Sequence, residues 1–428
     1  MFKIKSVKIE KLWGEKDYDL KFDQSVNFLI GPNGSGKTTI MNILTDALNG
    51  DLYKLSESFF EKITIDFFQN DKKETLSIRV TKSNKEVHYP ELKYEIKYGS
   101  YKDESPKWIT LYSDTEKKGA RDIDPRFARK AGYPYRNRVY IERFVPGQLK
   151  FSWLSINRKS FLMGRNSPGD EDDSPIDKKL KEVTINLSGY FSSLKAQDQS
   201  KTQRFQRSVF ESFLDSIESS EIDKKLKKIN VEEEKNLLKQ VFSNIENLNE
   251  NNSEKIEAFY QRFDETIKLK NSTSRGNNNT LVIKLMTLRI HNIVTNWNKL
   301  LTERDEIYDL QGKFLSKLNN MWLGKKAEVN DRNELEIKTL KNKPLDPRFL
   351  SSGEKQLLII LSESLLAESS SHIYMADEPE LSLHVEWQSK LVESLIDLNK
   401  NSQIIFATHS PDIVGSFGTR IIKIGESK

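Results

Sequence analysis

The spacing of apolar positions changes twice along the chain. Ile4, Val7 and Ile9 lie in a short β-like stretch, and "SVNFLI" at 25–30 is a continuous apolar run. Residues 1–30 therefore read as strands. "KITIDFF" (62–68), "ETLSIRV" (74–80) and "KYEIKYG" (93–99) alternate as antiparallel strands do, and "VYIERFV" (139–145) predicts one more core strand. "NSPGDEDDSP" (166–175) is a loop by composition. From about 177 to 340 the period becomes helical: Phe205, Val209, Phe213 and Ile217 form one stripe, and Leu237, Val241, Ile245 and Leu248 another. After a polar break at 271–279, apolar residues from Ile290 to Leu318 predict a helix over 281–322, about 60 Å long at ~1.5 Å per residue. Long helices about a polar hinge predict an inserted helical arm; a compact helical subdomain fits the same stripes. After 350, "HIYMADEP" and "SQIIFATHS" read as buried parallel strands whose C-terminal ends carry polar residues.

Composition narrows the class. The 428 residues, 36% hydrophobic and 31% charged, suit a globular chain and exclude a mostly disordered one. No apolar run is long enough to span a membrane, and "MFKIKSVKIEKLWG" lacks the apolar core of a signal peptide. The absence of cysteine excludes disulfides and thiolate metal sites, and a cytoplasmic location is expected. The net charge of +5 is unevenly spread. Residues 117–165 hold thirteen basic and three acidic side chains, a local +10 (13 minus 3). Interleaved with Tyr133, Tyr135, Tyr140, Phe144 and Trp153, this stretch could contact DNA, dock an acidic partner, or be a solvated face over buried aromatics.

Four motifs carry the chemistry. Gly31 to Thr38, "GPNGSGKT", follows a strand and opens a helix, the context a phosphate loop requires. Its backbone N–H groups from Asn33 through Gly34, Ser35, Gly36, Lys37 and Thr38 to Thr39 would cradle a phosphate chain. Lys37 would reach the β- and γ-phosphates, and the Thr38 hydroxyl would join a Mg²⁺ ion. The strand "IYMADEP" delivers Asp377 as a second Mg²⁺ partner and Glu378 as the base that polarises the attacking water. "FATHS" ends in His409, able to hydrogen-bond the γ-phosphate. "LSSGEKQLLIIL" (350–361) is a small-residue turn opening an apolar helix, a second anion-binding N-terminus. One chain has no second phosphate for it; a partner head does.

These residues resemble the ABC-type ATPases of the SMC, RecF and OLD branch. "LSSGE" is similar to their LSGGQ/E signature, with Ser352 where glycine is usual, and "DEPELSLHVEWQ" (377–388) and "KLWGEKDYDLKF" (11–22) look OLD-like. The resemblance covers about residues 1–68 and 345–420. It implies an α/β fold: a P-loop ABC-type head with an antiparallel β subdomain and an inserted helical arm. The head would comprise residues 1–165 and 344–428, with a helical insertion at 166–343. It also implies that two heads sandwich two ATP molecules, the loop of one facing Ser351, Gly353 and Glu354 of the other, so a homodimer or higher assembly is expected. Gln148 is the candidate for the family's Mg²⁺-sensing glutamine.

OLD proteins often carry a TOPRIM nuclease after the ATPase; here 19 residues follow His409 (428 minus 409), so that domain is expected to be absent and a separate effector to act. Compact ATPases of this kind resemble subunits of prokaryotic anti-phage systems such as PARIS, Septu and some retrons, which suggests a defence sensor. A RecF/SMC-like DNA-maintenance ATPase is the alternative. The ATPase subunit of a membrane transporter shares the four motifs but rarely carries an insertion of this length.

Overall fold

The structure is a computed structural model. It describes residues 2–68, 73–83, 91–100, 107–113, 139–141, 149–154, 174–214, 222, 224, 226, 229–245, 250–268, 278–368 and 372–425. The chain divides into two compact units, residues 1–188 with 313–428, and residues 189–312.

The first unit is built on two sheets. One is antiparallel, in the order β2 (Lys16–Lys21), β1 (Ile4–Leu12), β4 (Lys62–Phe67), β5 (Glu74–Ser83), β6 (Glu91–Ser100), β7 (Trp108–Ser113). Its alternation sends Ile63, Ile65 and Phe67 inward while Lys62, Thr64 and Asp66 are half-buried, as the period of two requires. The other is parallel, in the order β13 (Ile421–Lys423), β3 (Val26–Ile30), β12 (Gln403–Ala407), β11 (Ile373–Asp377), β8 (Phe151–Leu154). Strands β11 and β12 are buried at every position, which is why they read as unbroken apolar runs. The helix α1 (Lys37–Asn49) follows β3 and packs on β11 and β12.

One buried side chain ties the two sheets together. The Gln403 amide accepts from the Ile4 N–H at 2.8 Å and donates to the Ile4 and Asp23 carbonyls at 2.7 Å each. It is fully buried, and each of these pairings satisfies a polar group that desolvation would otherwise penalise. One apolar cluster of this unit runs from Phe2 and Ile4 through Leu44 and Ile65 to Met375 and Ile405.

Two differences from the sequence expectation stand out. Val139–Ile141 form no strand; the Val139 N–H donates to the Gly50 carbonyl at 2.8 Å, and residues 142–148 lie outside the described residues. The strand beside β11 is instead β8, too short for its pattern to announce itself. Within the stretch read as helical, β9 (Lys325–Val329) and β10 (Leu335–Thr339) form a hairpin that belongs to the first unit.

Beyond α2 (Leu52–Glu57), the chain forms α3 (Pro175–Leu214), α4 (Val231–Ile245), α5 (Glu250–Lys268) and α6 (Asn278–Met321). The long helix expected over 281–322 is continuous: α6 has 44 residues, about 66 Å at ~1.5 Å per residue. Within the second unit, Phe205 meets Trp297 edge-on with ring centroids 5.3 Å apart, beside Val241 and Leu300, and Asp198 pairs with Arg304 at 2.8 Å. Phe210, Phe213 and Leu214 are exposed. The architecture is the expected α/β class, a phosphate-loop head with an antiparallel subdomain and inserted helices.

Candidate nucleotide site

The phosphate loop joins β3 to α1 and is shaped by two left-handed glycines, Gly34 (φ 78°) and Gly36 (φ 99°). A side chain at either would be strained. Gly31 is required for another reason: a Cβ there would stand 2.1 Å from the Ile424 carbonyl oxygen. Asn33, Gly34 and Thr38 are exposed and Thr39 half-buried, whereas Ser35, Gly36 and Lys37 are buried. Helix α1 begins with no side-chain cap, which leaves its first N–H groups for an anion. The Tyr18 hydroxyl braces the loop by donating to the Ser35 carbonyl at 3.1 Å.

Lys37 folds along the loop, with Nζ donating to the Gly31 and Pro32 carbonyls at 2.8 and 3.2 Å. Burial lowers its pKa, and the carboxylates of Glu378, Asp377 and Glu380 act in the opposite direction. Asp377 ends β11 and Glu378 and Glu380 lie in the turn that follows, so the parallel pairing of β11 with β12 and of β12 with β3 carries the three acids to the loop. Asp377 is buried; burial raises its pKa, partly offset by a hydrogen bond from Thr38 and by Lys37. Glu378 has φ 45°, left-handed for a residue with a long side chain, while its N–H stays paired to the Ala407 carbonyl at 2.7 Å. Such backbone costs on the order of 1–3 kcal/mol and persists where surroundings enforce it.

The residues fit a hard divalent cation beside a polyphosphate. The Thr38 hydroxyl and Asp377 carboxylate adjoin, and Asp377 Oδ1 is buried without a hydrogen-bond partner. Among the described residues no cluster of three or more His, Asp or Glu side chains is arranged to hold a metal. One or two protein oxygens plus phosphate oxygens is the usual Mg²⁺ arrangement.

His409 is exposed at the end of β12, on a loop held by Glu380. Glu380 Oε1 accepts from the Thr408 hydroxyl (2.7 Å), the His409 N–H (2.8 Å) and the Ser410 N–H (3.2 Å). The Ser410 hydroxyl donates to Gln388 Oε1 at 2.7 Å. This clamp is not evident from sequence; the one signal is a second acid two residues after Glu378.

The signature stretch opens α7 (Ser352–Leu366). Ser351 is the N-cap of a capping box: its hydroxyl accepts from the Glu354 N–H at 3.3 Å, and Glu354 Oε2 accepts from the Ser351 N–H at 2.8 Å. Lys325 holds Glu354 Oε1 at 2.6 Å. Burial pushes the Glu354 pKa up, and these hydrogen bonds outweigh it, leaving the carboxyl below its ordinary value. Glu354 thus builds the helix start from inside, while Ser351 and Ser352 are exposed. Gly353 packs against the turn after β11: a Cβ there would lie 2.1 Å from the Ser382 carbonyl oxygen. Gln356 adds a hydrogen bond to the Pro379 carbonyl at 3.2 Å.

Gln148 lies outside the described residues, as do twelve of the thirteen basic side chains of 117–165, Lys150 being the exception. Of the aromatics named with them, Tyr133, Tyr135 and Phe144 also lie outside the described residues, Trp153 is partly buried in β8 against the main core, and Tyr140 is exposed. No described helix is long and apolar enough to cross a membrane.

Comparison with known proteins supplies a family. Over 45 residues the chain is 44% identical to a DNA double-strand break repair Rad50 ATPase of Methanopyrus kandleri, covering 10% of this chain and 5% of that protein. Over 86 residues it is 36% identical to a retron Vc95 probable ATPase of Vibrio cholerae, covering 18% of this chain and 17% of that protein. The matched segments are thus a small fraction of either relative's length. An Smc head domain from Pyrococcus furiosus bound to the C-terminal domain of ScpA is similar over 99% of this chain and 93% of its own, with TM-score 0.44 and 13% identity. An SMC head domain from Thermotoga maritima follows at TM-score 0.37 and 11% identity, covering 96% of this chain and 91% of its own. The description AAA ATPase domain matches residues 2–414, and with nearly the whole chain inside that match, the protein belongs to the AAA ATPase domain family.

Proposed function

We propose that the chain is an ATP-hydrolysing switch that works as a pair of heads. The observation that carries this reading is the meeting, at one loop, of Lys37, Thr38 and the carboxylates of Asp377 and Glu378, with a buried Asp377 oxygen left unpartnered. In this reading the loop amides from Asn33 to Thr39 bind the phosphates and Lys37 offsets γ-phosphate charge. Thr38 and Asp377 would hold Mg²⁺, which would supply positive charge against the phosphates. Glu378 accepts the proton of the attacking water. His409, on the loop clamped by Glu380, hydrogen-bonds the γ-phosphate. Ser351 and Gly353 of a second copy close the site through the N-terminus of α7, so ATP binding favours paired heads and hydrolysis releases them. In this reading the head is the unit of residues 1–188 and 313–428, which includes the β9–β10 hairpin, and the helical unit of residues 189–312 is the insertion.

The retron relative supports a role as sensor of an anti-phage system with a separate effector. The Rad50 relative favours a second reading, a DNA-maintenance ATPase whose basic 117–165 stretch contacts DNA.

The test is Glu378→Gln, which keeps the shape of the side chain and removes the base. Purified with ATP and Mg²⁺, the variant should hydrolyse at least ~10²-fold more slowly, the lower range for a lost general base. It should also form an ATP-dependent dimer or larger assembly by light scattering. A monomer hydrolysing at wild-type rate would overturn both the role of Glu378 and the shared site. Co-purification of an effector protein supports the defence reading, and salt-sensitive co-purification of DNA the maintenance reading.

A further inference from the structure

Among the described residues, strand β13 is the outer strand of the parallel sheet; it pairs with β3 alone, Ile421 beside Phe28 and Lys423 beside Ile30. It has three residues, with Ile421 and Lys423 exposed and Ile422 half-buried. Its anchors lie at its ends. Arg420 pairs with Asp23 at the entry. Past the strand, the Ile424 N–H donates to the Ile30 carbonyl at 2.7 Å, and the Ile424 side chain is buried in the main core. Gly425 follows with φ 93°. These two residues are the seat of the phosphate loop. The Ile424 carbonyl oxygen would stand 2.1 Å from a Cβ on Gly31, and a Cβ on Gly425 would stand 3.0 Å from Ser35 Cβ. Both ends of the Gly31–Ser35 turn thus rest on one dipeptide. The Gly31 carbonyl is in turn the acceptor that holds Lys37 Nζ at 2.8 Å, and Ser35 Oγ is buried with no hydrogen-bond partner. Where β13 lies decides where these groups stand. A three-residue edge strand with one neighbour is also the kind of element that opens locally at low cost.

We propose that Ile424 and Gly425, carried by β13, are positioning residues for phosphate binding. Docked on β3, the strand holds the loop in its receptive shape; lifted from β3, it releases Gly31 and Ser35 and lowers affinity for the phosphate chain. This rests on the nucleotide reading above and adds a control on the same site. The loop competent to bind exists only in the docked fraction, so the apparent dissociation constant rises as that fraction falls. By the same linkage, a bound phosphate chain draws β13 onto β3. Saturating ATP keeps the strand docked, so turnover at saturation is retained and the KM carries the change. Every group of the ligand that meets the loop is a phosphate, so the control acts on the phosphate chain and not on the base.

The test uses Gly425→Val in the full chain, which sets a β-branched residue at positive φ with its Cβ against Ser35. By calorimetry with Mg²⁺, ATP and inorganic tripolyphosphate should both bind about tenfold more weakly or worse, by the same factor, the scale of one strained backbone position. The KM for ATP should rise with them while kcat stays within about threefold of wild type. Wild-type affinity in a folded Gly425→Val protein would overturn the proposal, as would a loss confined to kcat. A second measurement needs no variant. In the wild-type chain, tripolyphosphate should slow hydrogen exchange at Ile421–Ile424 and leave β7, at the edge of the other sheet, unchanged. Equal protection of both strands, or none at β13, would overturn the proposal whether or not Gly425→Val folds. If the wild-type chain bound neither ATP nor tripolyphosphate, the nucleotide reading would fall first. If it bound both and β13 stayed indifferent, this inference alone would fall.

Discussion

Glu380 offers the sharpest link between stability and chemistry in the head. One oxygen accepts three hydrogen bonds, from the Thr408 hydroxyl and the His409 and Ser410 N–H groups. Thr408 is fully buried, so removing its acceptor leaves a desolvated hydroxyl, at about 1–3 kcal/mol. His409 is exposed and Ser410 half-buried, so water replaces much of what their amides lose, at roughly 0.5 kcal/mol each. Glu380→Ala should therefore cost about 2–4 kcal/mol and free the loop that carries His409. Glu380→Gln keeps an acceptor oxygen of the same reach and should cost about 1 kcal/mol, since only the charge assistance is lost. The measurements are the urea midpoint of the head transition and the turnover rate for ATP. We expect the midpoint to fall in the order wild type, Gln, Ala, with turnover in the Ala variant reduced at least ~10-fold while ATP still binds. A Glu380→Ala protein with wild-type midpoint and turnover would refute the clamp.

Three further outcomes are expected. Burial, aided by Lys150, pushes the His372 imidazole down to about 4 from 6.5, while its Nε2 bonds the Ser152 hydroxyl at 2.8 Å. The unfolded chain therefore takes up this proton first as pH falls, and stability is lost between about 6.5 and 4, by on the order of 3 kcal/mol in full. Urea midpoints at stepped pH should show that loss in wild type and a shallower one in His372→Gln; identical slopes would remove His372 as the cause. Lys179→Ala strips the partner 2.9 Å from Glu363, whose own pKa burial already raises, and should cost about 2–3 kcal/mol of thermal stability. Adding Glu363→Gln should recover most of it, and a failure to recover would place the loss elsewhere. Gly353→Ala puts a Cβ against the Ser382 carbonyl and must push the start of α7 off the turn after β11. By calorimetry and light scattering, ATP binding should stay within about threefold and ATP-dependent pairing should be lost; pairing at wild-type level would count against α7 as the element that closes the site.

The sequence by itself was enough for whatever depends on local pattern. Alternation marked β4, β5 and β6, continuous apolar runs marked β3, β11 and β12, and the stripe from Ile290 to Leu318 marked one long helix. In each case side-chain period follows backbone geometry directly. The phosphate loop was legible for the same reason: glycines at fixed offsets encode a backbone shape, and Gly34 and Gly36 adopt it. What the sequence could not supply was contact between residues far apart in the chain. It hid β8, four residues whose place is decided by pairing with β11. The hairpin of β9 and β10 was missed for a local reason: each strand is five residues long and lies directly after the helical stripe that ends near Leu318. The sequence also hid the Gln403 bridge between sheets, since a glutamine carries no sign of the backbone groups it will satisfy 399 residues away. Glu380 belongs to the same class: an acid two residues after Glu378 is unremarkable until parallel strand pairing brings the end of β12 beside the turn after β11. Local propensity is written residue by residue, whereas such long-range contacts are chosen by the packing of the whole chain.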